Sequence, residues 1–209
     1  MRETLRLGDV IKQMLLGFNE VLQGSQRYKR EVAHLKDESD MLYGSIKLYL
    51  ARLPQSMLSD VDSRRWAEVI ETAVNLEQSG EVIDRMTSDI ASKSLNKNRP
   101  FSAKGMEELN TLHARLVKNL DLAMSVFLSA DLDNAKRLRR AKHRFRLLNQ
   151  RFSLAHVERL HHQNVQSIET SSLHMGLLAD MRRLNSLFSA VAYYVLEVQD
   201  EDKAGSENG

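Results

Sequence analysis

Ser167-Ile168-Glu169-Thr170-Ser171-Ser172-Leu173-His174, running on through Asp180-Met181-Arg182-Arg183-Leu184-Asn185-Ser186 to Val191-Ala192-Tyr193-Tyr194-Val195-Leu196-Glu197, decides the fold class. Leu173, Leu177, Met181, Leu184, Phe188, Val191 and Val195 fall three or four residues apart, the period of one face of an α-helix. The segment predicts one long amphipathic helix. An apolar stripe of that kind needs neighbouring helices to cover it.

Working outward, five more segments carry the same period. The first helix is expected from about Glu3 to Leu22, with Leu7, Ile11, Met14, Leu15, Phe18, Val21 and Leu22 inward. Gly24-Ser25 breaks it. The second spans about Gln26 to Leu53, with Tyr28, Val32, Leu35, Leu42, Ile46, Tyr49 and Leu50 inward, and Pro54 stops it. Asp60 or Asp62 caps the third, which carries Trp66, Val69, Ile70, Ala73, Leu76, Ile83, Met86 and Ile90. Asn96-Lys97-Asn98-Arg99-Pro100 is the clearest internal break, with Ser102 as the next cap. The fourth helix buries Met106, Leu109, Leu112, Leu116, Leu120 and Phe127; Asp131-Leu132-Asp133 is a turn and cap; the fifth buries Leu138, Ala141, Phe145, Leu148, Phe152 and Ala155.

No strand pattern competes, and short connections make neighbouring helices antiparallel. The expected fold is all-α: six long helices in two tandem antiparallel three-helix bundles, over residues 1–98 and 99–199, with a disordered acidic tail at 200–209.

Composition agrees. The 209 residues can bury a core without staples, there are no cysteines, and only two prolines and nine glycines interrupt the helix formers. A net charge of +2 does not by itself imply a polyanion partner. No apolar run approaches the ~20 residues that cross a bilayer, and the opening Met1-Arg2-Glu3, leading directly into an amphipathic pattern, is not expected to be a leader peptide. There is no glycine-rich phosphate loop, no GXSXG elbow and no cysteine nucleophile, so the chain is expected not to be an enzyme.

Three groups of residues bear chemistry. On the third helix, Glu77, Glu81 and Asp84 ride at i, i+4 and i+7 along the edge of the apolar stripe; Asp37 and Asp40 stand at i, i+3 on the second. Carboxylate oxygens in such a group suit a divalent or iron cation, while the plainer alternative is a solvated edge paired with lysines and arginines. Seven histidines include His156, His161 and His162, with His174 on the apolar side of the last helix as the best candidate ligand; Asp180 lies on the same helix. Finally, Lys136, Arg137, Arg139, Arg140, Lys142, Arg144 and Arg146 surround the narrow apolar arc of the fifth helix. This basic face suits solvent, or contact with anionic lipid headgroups at a membrane surface. It lacks the interleaved aromatics of a nucleic-acid binder, and no nucleic-acid partner is expected.

Lys47-Leu48-Tyr49-Leu50-Ala51-Arg52-Leu53, Asn75-Leu76-Glu77-Gln78-Ser79-Gly80-Glu81-Val82-Ile83-Asp84, Leu112-His113-Ala114-Arg115, His156-Val157-Glu158-Arg159-Leu160 and the last-helix segment together resemble the PhoU-like C-terminal cytoplasmic domain of bacterial sodium/phosphate cotransporters. The resemblance implies a non-catalytic regulatory domain of a sodium-dependent phosphate transporter. It would act in phosphate homeostasis on the cytoplasmic side of the inner membrane, docking on the transmembrane part and forming a homodimer. A free-standing PhoU-like adaptor is the alternative, and a metal-storage protein or metal-dependent enzyme the third reading. The family's metal motif would fall on Glu77 and Glu81, with Asp40 the matching acid. In the second half its positions hold Arg182 and Ser186, Lys36 replaces a frequent acid, and Gly176 follows where an acid is usual.

Overall fold

A computed structural model describes residues 1–52, 59–95, 100–161 and 165–197. Its helices are α1 (Arg2–Leu22), α2 (Arg27–Ala51), α3 (Asp60–Ile90), which passes into a π-helical turn at Ala91–Leu95, α4 (Ala103–Ser129), α5 (Leu132–His161), α6 (Val165–Glu169), α7 (Ser171–Phe188) and α8 (190–197). No strand occurs among the described residues. The expected stop at Pro54, most of the break at 96–100, His162 and the acidic tail lie outside them.

Helices α1, α2 and α3 pack on one another, as do α4, α5 and α7. Two three-helix bundles therefore form, as the helix count predicts. They are joined where α3 meets α7 and α1 meets α4, and one apolar cluster runs through both. All seven inward residues assigned to α1 are buried, with Phe18, Met14, Leu15 and Ile11 fully so. Polar contacts fix the seam between bundles. Lys12 pairs with Asp121 at 2.7 Å, Gln23 with Asn110 at 2.8 Å, and Arg85 with Asp180 at 2.6 Å. Across α4 and α1, the ring of His113 meets the Leu15 carbonyl at 2.8 Å.

Three expectations change. The last helix is not continuous: Thr170 separates α6 from α7, and Ser189 interrupts it again before α8. Ser189 is buried and its hydroxyl donates to the Asn185 carbonyl at 2.7 Å, the back-bonding that bends helices. The break at Thr170 turns α6 so that the Ser167 hydroxyl lies 3.4 Å from that of Ser102. Tyr49 faces solvent, 65% exposed, beside the buried Leu50. The cap of α3 is Ser59, whose hydroxyl oxygen accepts from the Asp62 amide; Asp62 instead receives the Ser59 hydroxyl at 2.7 Å. Ser102 caps α4 as expected, and Asp131 accepts from the Asn134 amide at 2.7 Å to start α5.

Two positions carry stability predictions. A Cβ on Gly17 would lie 2.8 Å from a methyl of buried Val32, a stiff β-branched neighbour at the α1–α2 crossing. Gly17→Leu is expected to lower the unfolding free energy by about 2 kcal/mol in urea titration, since overpacking outweighs the gain in helix propensity. Ala130 ends α4 in the left-handed region, at φ 50° and ψ 28°. Ala130→Gly is expected to raise stability by about 0.5–1 kcal/mol, because glycine adopts that backbone without Cβ strain.

Candidate functional site

The acids of the third and second helices come together only in part. Lys36, whose side chain is largely covered, places its Nζ 2.5 Å from Asp40 Oδ1. Glu77 is half-buried. Burial, then the charges of Glu81 and Asp40, push its carboxyl above the usual carboxylate range, and the Lys36 ammonium pulls the other way. The cation beside these acids is thus a side chain of the protein. Glu81, Asp37 and Asp40 are exposed and Asp84 is half-buried. Among the described residues no three His, Asp or Glu side chains gather closely enough to hold a metal ion. Of Glu77, Glu81, Asp84, Asp40 and Asp37, from which a divalent or iron cation site was expected, the fold places Glu77 within electrostatic reach of Glu81, Asp40 and Lys36.

A polar cluster that the sequence pattern did not reveal lies inside the second bundle. It joins the start of α4, the end of α5 and the start of α7. Glu108 is 1% exposed and forms a two-pronged pair with Arg159: Nη1 to Oε1 at 2.8 Å and Nη2 to Oε2 at 2.7 Å. Such fork geometry is the strong form of the carboxylate–guanidinium bond. Arg159 also reaches Nδ1 of His156 at 3.4 Å. A guanidinium only donates, so Nδ1 accepts and the ring proton sits on Nε2. His156 Nε2 then donates to the Ser171 hydroxyl at 3.0 Å. That direction is opposite to the one a serine nucleophile needs, where the imidazole takes the proton.

His174 packs edge-on against His156, with ring centroids 4.5 Å apart, and against Phe101. Burial pushes its pKa down to about 3, aided by the nearby His156 and Arg159 charges. Its ring is neutral at pH 7, so its 3.6 Å approach to Glu108 Oε2 is not an ion pair. Burial also lowers His156 and His113. His174, the best ligand candidate from sequence, is a packed neutral ring, and His161 is exposed at the end of α5. Asp180 is the α7 partner of Arg85.

The basic face of α5 is not uniform. The helix holds nine Lys and Arg against two acids. Arg137, Arg140 and Arg144 turn toward α4 and, with Arg115 and Lys118, line a cleft of 470 Å³. Arg139, Lys142 and Arg146 turn toward α7 and, with Arg182 and Arg183, line a larger one of 780 Å³. Lys136 is half-buried, while Arg137, Arg139, Arg140 and Arg144 are exposed.

No protein-family model matches the chain. Over 206 residues it is 58% identical to a protein of Escherichia coli strain K12 named for inorganic phosphate export, YjbB, and 57% identical to the protein of that name from Salmonella typhimurium. Each match covers 99% of this chain, which spans 38% of the length of those relatives. In structure it is similar to PhoU from Pseudomonas aeruginosa, with a TM-score of 0.81 and 14% identity over 96% of this chain and 95% of that one. The paired three-helix bundles are thus a PhoU-like fold, and nearly every residue of the chain aligns with a segment of longer relatives that carry a phosphate-export name.

Proposed function

We propose that this chain is a non-catalytic regulatory module of phosphate homeostasis, working by docking. The observation that carries the reading is 58% identity along 206 residues to relatives named for phosphate export. The buried groups support a role without bond-making chemistry. Glu108 and Arg159 pair with each other, and Ser171 receives a proton from His156 where catalysis would require it to give one.

The leading form is a PhoU-like adaptor that binds a phosphate transporter or its sensor on the cytoplasmic side of the inner membrane, as monomer or homodimer. The match to almost the whole length of PhoU supports it. The second form is a domain covalently joined to the membrane part of a sodium-coupled transporter. The 38% coverage of the longer relatives favours that form. No helix among the described residues is long and apolar enough to cross a membrane.

Size-exclusion chromatography of this chain with the detergent-solubilised membrane part of a phosphate transporter tests the proposal. The adaptor form is expected to co-elute when added as a separate polypeptide. The joined form is expected to pack against the membrane part only when linked to it, through the raised effective concentration a linker confers. No protection of the chain from protease in either arrangement would remove docking as its role.

A further inference from the structure

The α5–α7 cleft concentrates positive charge without internal neutralisation. Arg139, Lys142 and Arg146 come from successive turns of α5, Arg182 and Arg183 from α7, and Ser186 and Tyr193 complete its walls. None of the five cations has a carboxylate partner among the described residues. Asp180, on the same helix as Arg182 and Arg183, is engaged elsewhere, with Arg85. Meanwhile α3 carries eight acids against three bases, so the small net charge of the chain hides a strong separation of sign.

The cleft is also held in shape. Lys142 Nζ sits 4.5 Å from the centre of the Tyr193 ring. Buried Asn185 spans three helices: its Nδ2 donates to the Lys142 carbonyl at 3.3 Å, and its Oδ1 accepts from Asn119 Nδ2 at 2.8 Å. A concave, fixed group of like charges focuses potential on its interior and raises the local concentration of anions. Three guanidinium forks or more around one space match the geometry of phosphate oxygens.

We propose that the α5–α7 cleft binds more than one phosphate group at a time, presented either by free pyrophosphate or a short polyphosphate or by adjacent anionic lipid headgroups. Five cations exceed what one monovalent anion needs, and 780 Å³ admits more than one phosphate group. The assignment uses the charge and shape of the cleft alone, so its failure would leave the docking role standing, and the reverse.

Two titrations at constant ionic strength test it. Calorimetry follows inorganic phosphate, pyrophosphate and tripolyphosphate. Sedimentation follows phosphatidylcholine vesicles with and without phosphatidylglycerol. Saturable binding is expected in one arm: the soluble arm identifies a free anion, the vesicle arm a headgroup. Arg146→Gln with Arg182→Gln should weaken it about tenfold or more, as loss of charge-assisted hydrogen bonds does. Arg137→Gln with Arg140→Gln, in the α4-side cleft, should change it by about twofold or less. All four side chains are exposed, so both variants are expected to fold, and circular dichroism checks this. Binding in neither arm, or equal weakening by the two variants, would overturn the site.

Discussion

Arg159→Met is expected to destabilise the protein by about 3–5 kcal/mol, the cost of leaving a buried charge without its partner. The Glu108 carboxylate is 1% exposed and receives two of its hydrogen bonds from that guanidinium. Removing the other partner is expected to cost less. The Arg159 side chain keeps 17% exposure and can turn its head to water, whereas Glu108 cannot. Glu108→Leu should therefore lose clearly less than Arg159→Met. The double variant Glu108→Leu, Arg159→Met should recover most of the larger loss, because a well-packed apolar replacement of a buried pair is often neutral. Urea unfolding of the three variants gives the comparison. Against a total stability of about 5–15 kcal/mol, the single Arg159 change is a large fraction. Equal losses in the two single variants would show that the pair's burial does not set its energetics.

Acidification is the second large effect. His174 titrates near 6.5 when unfolded and near 3 when folded, so between these values the unfolded chain binds the extra proton. Stability from this ring is complete above about pH 6.5 and is lost as pH falls toward 3. At pH 5 the loss relative to pH 8 is about 2 kcal/mol from His174 alone, at 1.4 kcal/mol for each unit of pH inside the window. His156 and His113 are lowered in the same direction and add to it. Glu68 and Glu77 act with the opposite sign. Their folded pKa values are raised, so they disfavour folding above the usual carboxylate range and that penalty is relieved as pH falls through it. The net expectation is a fall in stability from about pH 6.5 toward pH 3, offset in part at the acid end by the two glutamates. His174→Gln should lose stability at pH 7 yet show a shallower slope between pH 6.5 and 5. A slope unchanged by the substitution would contradict the assignment of the buried neutral ring.

The fold was legible because its signal is repeated. In α1 all seven predicted inward residues are buried, and in α7 and α8 the stripe from Leu173 to Val195 is buried throughout. Periodicity reports which face turns inward, but not where a helix is cut. The interruptions at Thr170 and Ser189 come from side-chain hydrogen bonding and tertiary contacts that the period does not encode. Tyr49 shows another limit, since an aromatic at the edge of a stripe can rotate outward while its neighbour stays in.

The site was legible only as residue types. Helical spacing placed Glu77, Glu81 and Asp84 along one edge, yet it could not show that Lys36 bends over Asp40 in their midst. Glu108 was missed entirely. A signal existed: it lies on the same face as Leu112 and Leu116, where an acid must be neutralised by something distant. That something is Arg159, fifty-one residues away, and no local pattern joins the two. The basic run of α5 was visible in sequence. Its division into an α4-facing and an α7-facing cleft depended on helix packing and on Arg182 and Arg183 from another element.

The rate of radiolabelled inorganic phosphate movement across the membrane of living cells tests the regulatory role most directly. It would be measured with this chain deleted, restored, and restored as the Arg159→Met variant. The account predicts a several-fold change in flux on deletion, reversed by the intact chain and reversed less well by the destabilised one. Identical flux in all three strains, at both scarce and abundant phosphate, would contradict it.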